Sequence, residues 1–293
     1  KTISGAGTIC TGGSKLLTLA SRSVGNIKWQ SSSDNGVLAP YSDIVDATSL
    51  TYNASPTAAT WYRVVSTNGV CSSVSSGAVA VTVNQSAEVG EVSATKTEIC
   101  AAGGTKLSLS SAQGNIVWQK ATLTNGVLGA YSTLIQNETS VTTGNTLATT
   151  HYRAVVSNGV CPTATSNVVI VKVCPTPVVK YITGAGAICI GSSKVLTLAT
   201  GSVGSIQWQS NGSSGSTVPS SDDANWINIE GATDVNTLTA SPTATTWYRV
   251  VVSSGPCYSI ASTAVAVTVN QPTSVGTLPS TTTVCKASGT TLN

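Results

Sequence analysis

The chain has 293 residues, a length that allows two or three domains, and only 9% of them are charged. Lys and Arg total 14 against 11 Asp and Glu and form no basic cluster, so the sequence offers no electrostatic footprint for nucleic acid. No apolar run reaches the roughly 18 residues that a membrane helix needs, so no membrane insertion is expected. With a single histidine, His151, the chain cannot build a histidine-based metal cluster.

An internal repeat emerges when the chain is followed from its first residue. The first unit contains, in order, Cys10, an apolar segment around Leu17, the segment NIKWQS at positions 26–31, and TWYRVVSTNGVC, which ends at Cys71. The same blocks return in the same order twice more. The first cysteines of the successive units are Cys10, Cys100, Cys189 and Cys285, at steps of 90, 89 and 96 residues.

These steps divide the chain into repeats. Repeat 1 is predicted at 1–86, repeat 2 at 87–175, repeat 3 at 176–271, and the start of a truncated fourth repeat at 272–293. The third step is longer because a Ser- and Gly-rich stretch from Ser210 to Asp223, typical of a loop, follows the tryptophan of repeat 3. The junctions are short and partly stiffened by proline, which predicts an elongated rod.

Within a repeat the apolar residues alternate with period two, as at Leu17 and Leu19 or at Ile27 and Trp29, and turn signals such as Asn68-Gly69 separate the runs. About seven short strands per repeat predict an all-β fold made of tandem immunoglobulin-like β-sandwich domains. The predicted core aromatic residues of the three repeats are Trp29, Tyr62, Trp118, Tyr152, Trp208 and Tyr248.

Each repeat resembles an immunoglobulin-like domain. Trp29 matches the buried tryptophan of strand C, and Tyr62 matches the tyrosine-corner residue at the start of strand F. An antibody domain would have its second cysteine at the position of Val64, so apolar packing replaces the core disulfide.

The displaced cysteines carry a second resemblance. The pattern I-C-x-G near Cys10 and W-Y-R-V-V-x-x-x-G-x-C ending at Cys71 resembles the tandem repeats of large Bacteroidetes surface adhesins, and is most similar to the repetitive gliding-motility adhesin of flavobacteria. This resemblance implies export by the type IX route, display on the outer cell surface, and attachment to a substratum or polysaccharide. It also implies contact with an envelope or secretion-machinery protein.

The two cysteines of a repeat are 61 residues apart in repeats 1 and 2 and 68 apart in repeat 3, where the loop insertion adds seven residues. This recurrence predicts one disulfide per repeat and an oxidising compartment. The predicted bonds are Cys10–Cys71, Cys100–Cys161 and Cys189–Cys257. Reduced structural thiols are the alternative, and the lack of a C-x-x-C pair disfavours zinc. Cys174 and Cys285 are left unpaired, either as tolerated free cysteines or as intermolecular links.

Two tryptophan and arginine pairs are candidates for ligand contact. Strand alternation points Trp61 and Arg63, and their counterparts Trp247 and Arg249, away from the core. Such a pair could stack on a sugar ring, or it could cover its own sheet through a cation–π contact. His151 takes the tryptophan position in repeat 2, which disfavours a binding role common to the whole array.

Acidic residues gather loosely at two places. One group is Asp43 and Asp46, and the other is Asp222, Asp223, Glu230 and Asp234. Neither has the spacing of a calcium loop, so solvated loop carboxylates are the favoured interpretation and no metal or cofactor is expected. No nucleophile-elbow, P-loop or dinucleotide motif occurs, so no catalytic residue is predicted.

The sequence therefore favours a non-enzymatic, extracellular repeat region of a surface adhesin, acting as rod and adhesive surface. Its expected partners are surface polysaccharide or substratum and further repeats of the same chain. The competing hypothesis is a carbohydrate-binding or spacer module of a secreted polysaccharide-degrading enzyme. A neighbouring catalytic domain would favour this second hypothesis, and many more repeats would favour the first.

Overall fold

A computed structural model describes residues 1–20, 25–212 and 217–273 of the chain. Most of the predicted fourth repeat, with Cys285, lies outside these residues. Within them the regular structure is entirely β, which confirms the predicted all-β fold. No helix in this part of the chain has the length and hydropathy that crossing a bilayer would require.

Repeat 1 consists of two sheets packed face to face. The smaller sheet has the strand order β1-β3-β6, and the larger has the order β2-β9-β7-β4-β5, with β8 paired to β7. The strands are β1 (Ile3–Ser4), β2 (Gly7–Cys10), β3 (Lys15–Leu19), β4 (Asn26–Ser32), β5 (Ser42–Asp43), β6 (Thr51–Ala54), β7 (Thr60–Thr67), β8 (Val74–Ser75) and β9 (Val79–Asn84).

Repeat 2 has the same two sheets, ordered β11-β13-β18 and β12-β21-β19-β15-β16, and a short additional pair, β10-β14. β17 pairs with β15, and β20 pairs with β19. The strands are β10 (Glu88–Val89), β11 (Val92–Ala94), β12 (Glu98–Cys100), β13 (Lys106–Leu109), β14 (Ala112–Gln113), β15 (Asn115–Thr124), β16 (Val127–Leu128), β17 (Ser132–Gln136), β18 (Ser140–Thr142), β19 (Thr150–Ser157), β20 (Ala164–Thr165) and β21 (Val169–Cys174).

Repeat 3 is built in the same way, with sheets ordered β22-β24-β27 and β23-β30-β28-β25-β26, and β29 paired to β28. The strands are β22 (Ile182–Thr183), β23 (Gly186–Cys189), β24 (Lys194–Leu198), β25 (Ser205–Asn211), β26 (Ile227–Thr233), β27 (Thr237–Ala240), β28 (Thr246–Ser253), β29 (Ile260–Ala261) and β30 (Val265–Asn270). Three immunoglobulin-like sandwiches therefore follow one another in the chain.

A buried tryptophan lies at the centre of each core. Trp29, Trp118 and Trp208 are all 0% exposed, and each packs between the alternating apolar residues of the two sheets. Each indole N–H donates to a backbone carbonyl oxygen, at 2.9 Å to Ser49, 2.8 Å to Glu138 and 2.9 Å to Val235, respectively. The one polar atom of each ring is thus satisfied, so the large ring is buried without leaving an unpaired donor.

The strand directions place the two cysteines of repeat 1 at opposite ends of its sandwich. β2 runs parallel to β9 with Cys10 opposite Asn84, whereas β7 runs antiparallel to β9 with Thr60 opposite Val81. Cys10 therefore lies beyond the start of β7, and Cys71 follows its end. The eight residues of β7 alone span about 23 Å at ~3.3 Å per step.

This separation overturns the prediction of one disulfide inside each repeat. A disulfide requires Cα atoms within about 7 Å, and no turn in repeat 1 could bring Cys71 back to Cys10. The described chain falls into two compact units, of which the first, Lys1–Val173, contains repeats 1 and 2, and the second begins at Cys174.

Candidate functional site at the junction of the first two repeats

A disulfide joins repeat 1 to repeat 2. Cys10, the last residue of β2, is bonded to Cys161 in the turn after β19, with their Cα atoms 4.9 Å apart. The predicted bonds Cys10–Cys71 and Cys100–Cys161 are therefore both wrong. The turn of repeat 2 that carries Cys161 reaches the end of repeat 1 at which Cys10 and the last residue of β9 lie.

The turn that carries Cys161 is shaped by glycine. Cys161 N–H donates to the carbonyl oxygen of Asn158 at 3.0 Å, and Gly159 between them has φ of +55°. A Cβ atom at Gly159 would also overlap the side-chain amide of Asn84, the last residue of β9 in repeat 1. Glycine is thus required both by the left-handed backbone and by the close approach of the neighbouring repeat.

The linker between the repeats is held by both of them. Thr11 N–H in repeat 1 donates to the carbonyl oxygen of Asn84 at 2.9 Å. From repeat 2, Asn158 Nδ2 donates to the carbonyl oxygen of Gln85 at 2.9 Å, and Gln113 Nε2 donates to that of Ser86 at 3.2 Å. Three successive carbonyl groups of the linker are therefore fixed.

The other cysteines follow a different pattern from the one predicted. Cys71 and Cys189 are free and exposed, so the predicted bond Cys189–Cys257 is also wrong. Cys100 and Cys257 are disulfide-bonded. Cys257 Sγ lies 3.9 Å from the carbonyl oxygen of Cys174, just as Cys161 Sγ lies 3.4 Å from that of Asn84.

Cys174 itself is free and only 3% exposed, at the end of β21. A thiol buried in this way does not reach another molecule, so the structure favours the tolerated free cysteine over the intermolecular link.

The outer face of each larger sheet carries an arginine stacked on an aromatic ring. The guanidinium carbon of Arg63 lies 4.0 Å from the ring centroid of Tyr41, that of Arg153 lies 3.8 Å from Tyr131, and that of Arg249 lies 4.2 Å from Trp226. Each arginine Nε also donates to the amide oxygen of a glutamine on the adjacent strand, at 2.8 Å to Gln30, 2.9 Å to Gln119 and 2.7 Å to Gln209.

This stack changes the interpretation of the predicted ligand-contact pairs. Trp61 and Arg63 are half-buried, and the arginine covers Tyr41 of its own repeat. Trp247 and Arg249 are each only 9% exposed, so pointing away from the core does not leave them open to solvent. The arginine partners Tyr41, Tyr131 and Trp226 were missed because their distance from the core tryptophan differs between repeats.

Loop residues explain why Trp247 and Arg249 of repeat 3 are more buried than Trp61 and Arg63 of repeat 1. The carbonyl oxygen of Ser221 accepts a hydrogen bond from Arg249 Nη1 at 2.7 Å, while Trp226 lies over the guanidinium group. Burial lowers the pKa of Arg249, an effect that the nearby carboxylates of Asp222 and Asp223 oppose. The longer loop that the sequence locates after Trp208 thus covers this face.

Two of the predicted acidic residues, Asp43 and Asp234, accept hydrogen bonds from an adjacent strand. Asp43 accepts from Gln30 Nε2 at 2.7 Å and from Lys28 Nζ at 2.9 Å, and these two contacts lower the pKa of its carboxyl group. Asp234 accepts from the backbone N–H of Ile206 at 2.8 Å. In the described residues, no three His, Cys, Asp or Glu side chains are grouped so that they could hold a metal ion.

Comparison with known proteins gives one family and a set of structural likenesses. The family model described as "Domain of unknown function (DUF8696)" matches residues 1–85, 88–175 and 178–271. No curated protein has a matching sequence. Among solved structures, the chain is similar to extracellular domains 3-5 of Drosophila OTK, with 15% identity over 91% of this chain and 94% of that chain and a TM-score of 0.38.

Two further structures have similar values. Murine CEACAM1b is 14% identical over 62% of this chain and 100% of that chain, with a TM-score of 0.43. A mutated variant of titin domains I67-I69 is 11% identical over 91% of this chain and 95% of that chain, with a TM-score of 0.46.

Proposed function

Because the chain belongs to the family described as a domain of unknown function (DUF8696) and carries three tandem copies of it, we propose that it is the non-enzymatic repeat region of an exported cell-surface adhesin. In this role the repeats hold the adhesive protein away from the cell and contribute to attachment to a substratum or polysaccharide, and to gliding. The coarser character of the region, an extracellular segment of adhesion or spacer type, follows from its tandem immunoglobulin-like repeats.

The observation that carries this proposal is the joined junction of repeats 1 and 2. Cys10 and Cys161 connect the repeats covalently, and three linker carbonyl groups are hydrogen-bonded besides. A spacer must keep its neighbours connected, and this junction supplies that property. Neither a catalytic centre nor a ligand cleft would need such a connection.

The disulfides support an extracellular location. Cys10 is bonded to Cys161, Cys100 and Cys257 are each disulfide-bonded as well, and such bonds persist in oxidising compartments. The type IX export route and the outer cell surface rest on the resemblance of the I-C-x-G and W-Y-R-V-V segments to Bacteroidetes adhesins.

A carbohydrate-binding module of a secreted polysaccharide-degrading enzyme is the second candidate. The recurrence of an aromatic ring beside an arginine on the outer face of all three larger sheets favours it. Against it, each arginine already stacks on that ring and bonds its glutamine, so the guanidinium group is used within the repeat.

Antibodies raised against the full chain test the first proposal on the cells that produce it. We expect them to label intact cells and to reduce attachment to a surface. Labelling only after permeabilisation would contradict surface display, and labelling without any effect on attachment would contradict the adhesive role. A glycan array probed with the full chain and with Tyr41→Ala tests the second candidate, which predicts binding that this substitution weakens.

A further inference from the structure

Cys71 is presented in the same way as a cysteine that forms a bond between repeats. Its N–H donates to the carbonyl oxygen of Asn68 at 3.1 Å, as that of Cys161 donates to Asn158 at 3.0 Å. The glycines inside the two turns have φ of +59° and +55°. The turn that reaches a preceding repeat from repeat 2 therefore exists in repeat 1, with its thiol free and exposed.

Cys189 likewise repeats the position of Cys10. It ends β23, which runs parallel to β30 with Cys189 opposite Asn270, as Cys10 lies opposite Asn84. Its carbonyl oxygen accepts from Ser192 N–H at 3.0 Å, and that of Cys10 accepts from Gly13 N–H at 2.8 Å. Repeat 3 thus holds a first cysteine in the bonding position, also free and exposed.

An open cavity near the turn that carries Cys71 is a second, independent observation. It has a volume of about 310 Å³ and is lined by residues that include Lys1, Leu19, Val64, Asn68, Ser72 and Val74. In repeat 2 the linker strand β10 lies against β14, and its Val89 packs on the core of that repeat.

Val179 occupies the corresponding position in repeat 3 and packs on that core. The cavity in repeat 1 is accordingly the position that the equivalent apolar residue of an incoming linker would fill. Its lining includes Asn68 and Ser72, which belong to the same turn region as the exposed thiol.

We propose that Cys71 and Cys189 are sites for disulfides to neighbouring repeats of this family, in which the first cysteine of each repeat bonds the turn cysteine of the repeat that follows. Cys71 takes the first cysteine of a preceding repeat, and Cys189 takes the turn cysteine of a following one. Cys10 and Cys161 already obey this rule, and Cys100 and Cys257 are bonded cysteines of these two types. The inference goes beyond the proposed function, because it applies whether the repeats bind a ligand or act only as a spacer.

The chemistry is thiol–disulfide exchange with a small disulfide such as oxidised glutathione. The thiolate of one cysteine attacks this disulfide, forming a mixed disulfide and releasing one glutathione thiolate. The second cysteine then attacks the mixed disulfide, forming the protein bond and releasing the second glutathione thiolate. Two protein thiols are oxidised, and one oxidised glutathione is reduced to two molecules of glutathione.

The Cys189 site is tested by adding one repeat to the chain. Residues 1–271 are followed by a second copy of residues 86–175, so that the sequence VTVNQ precedes the junction as it does between repeats 1 and 2. After oxidation with glutathione, alkylation and peptide mapping, we expect Cys189 bonded to the copied Cys161. In the matched control, Cys189→Ser, the copied Cys161 should become alkylated.

The Cys71 site is tested by placing a copy of residues 1–89 ahead of Lys1, so that Val89 of the copy lies three residues before Ile3, as Val179 lies three residues before Ile182. We expect the copied Cys10 to bond Cys71, and Val89 of the copy to close the cavity. The native Cys10–Cys161 bond in the same molecules shows that folding and oxidation have succeeded. If that bond forms while Cys71 or Cys189 stays alkylated, or pairs with a different cysteine, the proposal is wrong.

Discussion

The buried tryptophan of each repeat shows how one side chain defines a core. Sequence alternation predicts Trp29 on the inner face of its strand, and the structure has it fully buried with Tyr52 5.7 Å away, centroid to centroid. Its partner carbonyl at Ser49 has no sequence signal, because any backbone carbonyl could accept that hydrogen bond.

Replacing Trp29 by alanine should destabilise repeat 1 by about 3 to 5 kcal/mol, since it removes a large buried ring and leaves a cavity. Denaturant unfolding of the full chain measures this. The matched control is Leu16→Ala in the same repeat, where the side chain is 58% exposed and the loss should stay within about 0.5 kcal/mol. Equal losses would mean that the tryptophan is not the centre of the core.

The loop that follows Asp34 should depend on pH, because the Asp34 carboxylate accepts hydrogen bonds from its backbone. Burial alone would raise the pKa of its carboxyl group, but hydrogen bonds from the backbone N–H groups of Ala39, Leu38 and Gly36 and from Ser32 hold that pKa below the usual 3.8. A lowered folded-state pKa means that the contribution to stability is present above the unfolded value and is lost as the pH falls through the folded value.

An acid titration followed by NMR should therefore show the amide signals of Gly36 and Ala39 changing below pH 3.8. In Asp34→Asn these changes should disappear, because the amide does not ionise. Amide signals that titrate at the ordinary aspartate pKa in the unmodified chain would contradict the prediction.

The arginine stack marks the limit of sequence comparison for single residues. Gln30 and Arg63 lie in blocks that recur in every repeat, but Tyr41 follows Trp29 by 12 residues while Trp226 follows Trp208 by 18. The loop after the core tryptophan differs in length between repeats, although the aromatic ring lies over the arginine in all three. The equivalent aromatic residues therefore do not align in sequence, and their contact with the arginine in the structure identifies them.

At the level of strands and turns, the cysteine pairing was the main error. The spacing from Cys10 to Cys71 recurs in repeat 2, but a bond from each repeat to the next would recur just as regularly. Equal spacing therefore cannot distinguish a bond within each repeat from a bond between successive repeats. Strand direction decides between them, because the strand before the turn runs away from the end where Cys10 lies.

Gly69 and Gly159 lie in the equivalent cysteine turns of repeats 1 and 2 and provide a matched pair of substitutions. Gly159→Ala and Gly69→Ala both place alanine at positive φ, which costs roughly 1 to 2 kcal/mol. Only at Gly159 would the new Cβ also meet Asn84, since nothing lies within 4 Å at Gly69. Denaturant unfolding should thus show the larger loss for Gly159→Ala.

The excess should disappear in an Asn84→Ala background, where the neighbouring side chain is absent. An excess that remains there would show that the turn itself, and not the adjacent repeat, makes the difference.

At the scale of the whole molecule, the repeat order could be predicted from the sequence. The predicted boundaries 1–86, 87–175 and 176–271 lie close to the family matches at 1–85, 88–175 and 178–271. The bond between the first two repeats could not be predicted, because its cysteines lie in different repeats and are 151 positions apart in the sequence.

Cys161→Ser should lower the stability of the oxidised chain by up to about 5 kcal/mol, the chain-entropy value for so long a loop. Chemical unfolding under non-reducing conditions measures it. Cys71→Ser is the matched control, since Cys71 stands in the equivalent turn but is free, and its stability should be unchanged. Equal losses in the two variants would show that the bond contributes nothing specific.

The bond between Cys10 and Cys161 also determines how the chain responds to tension. All residues from 11 to 160 lie inside the covalent loop that it closes. Force applied to the two ends of the chain is transmitted from Cys10 to Cys161 through the disulfide. Most of the first two repeats therefore cannot be extended, even after they unfold. Single-molecule stretching should give a reduced chain at least about 500 Å longer than the oxidised one. A chain closed by this bond limits its own extension, and its unfolded repeats remain within a short span from which they can refold.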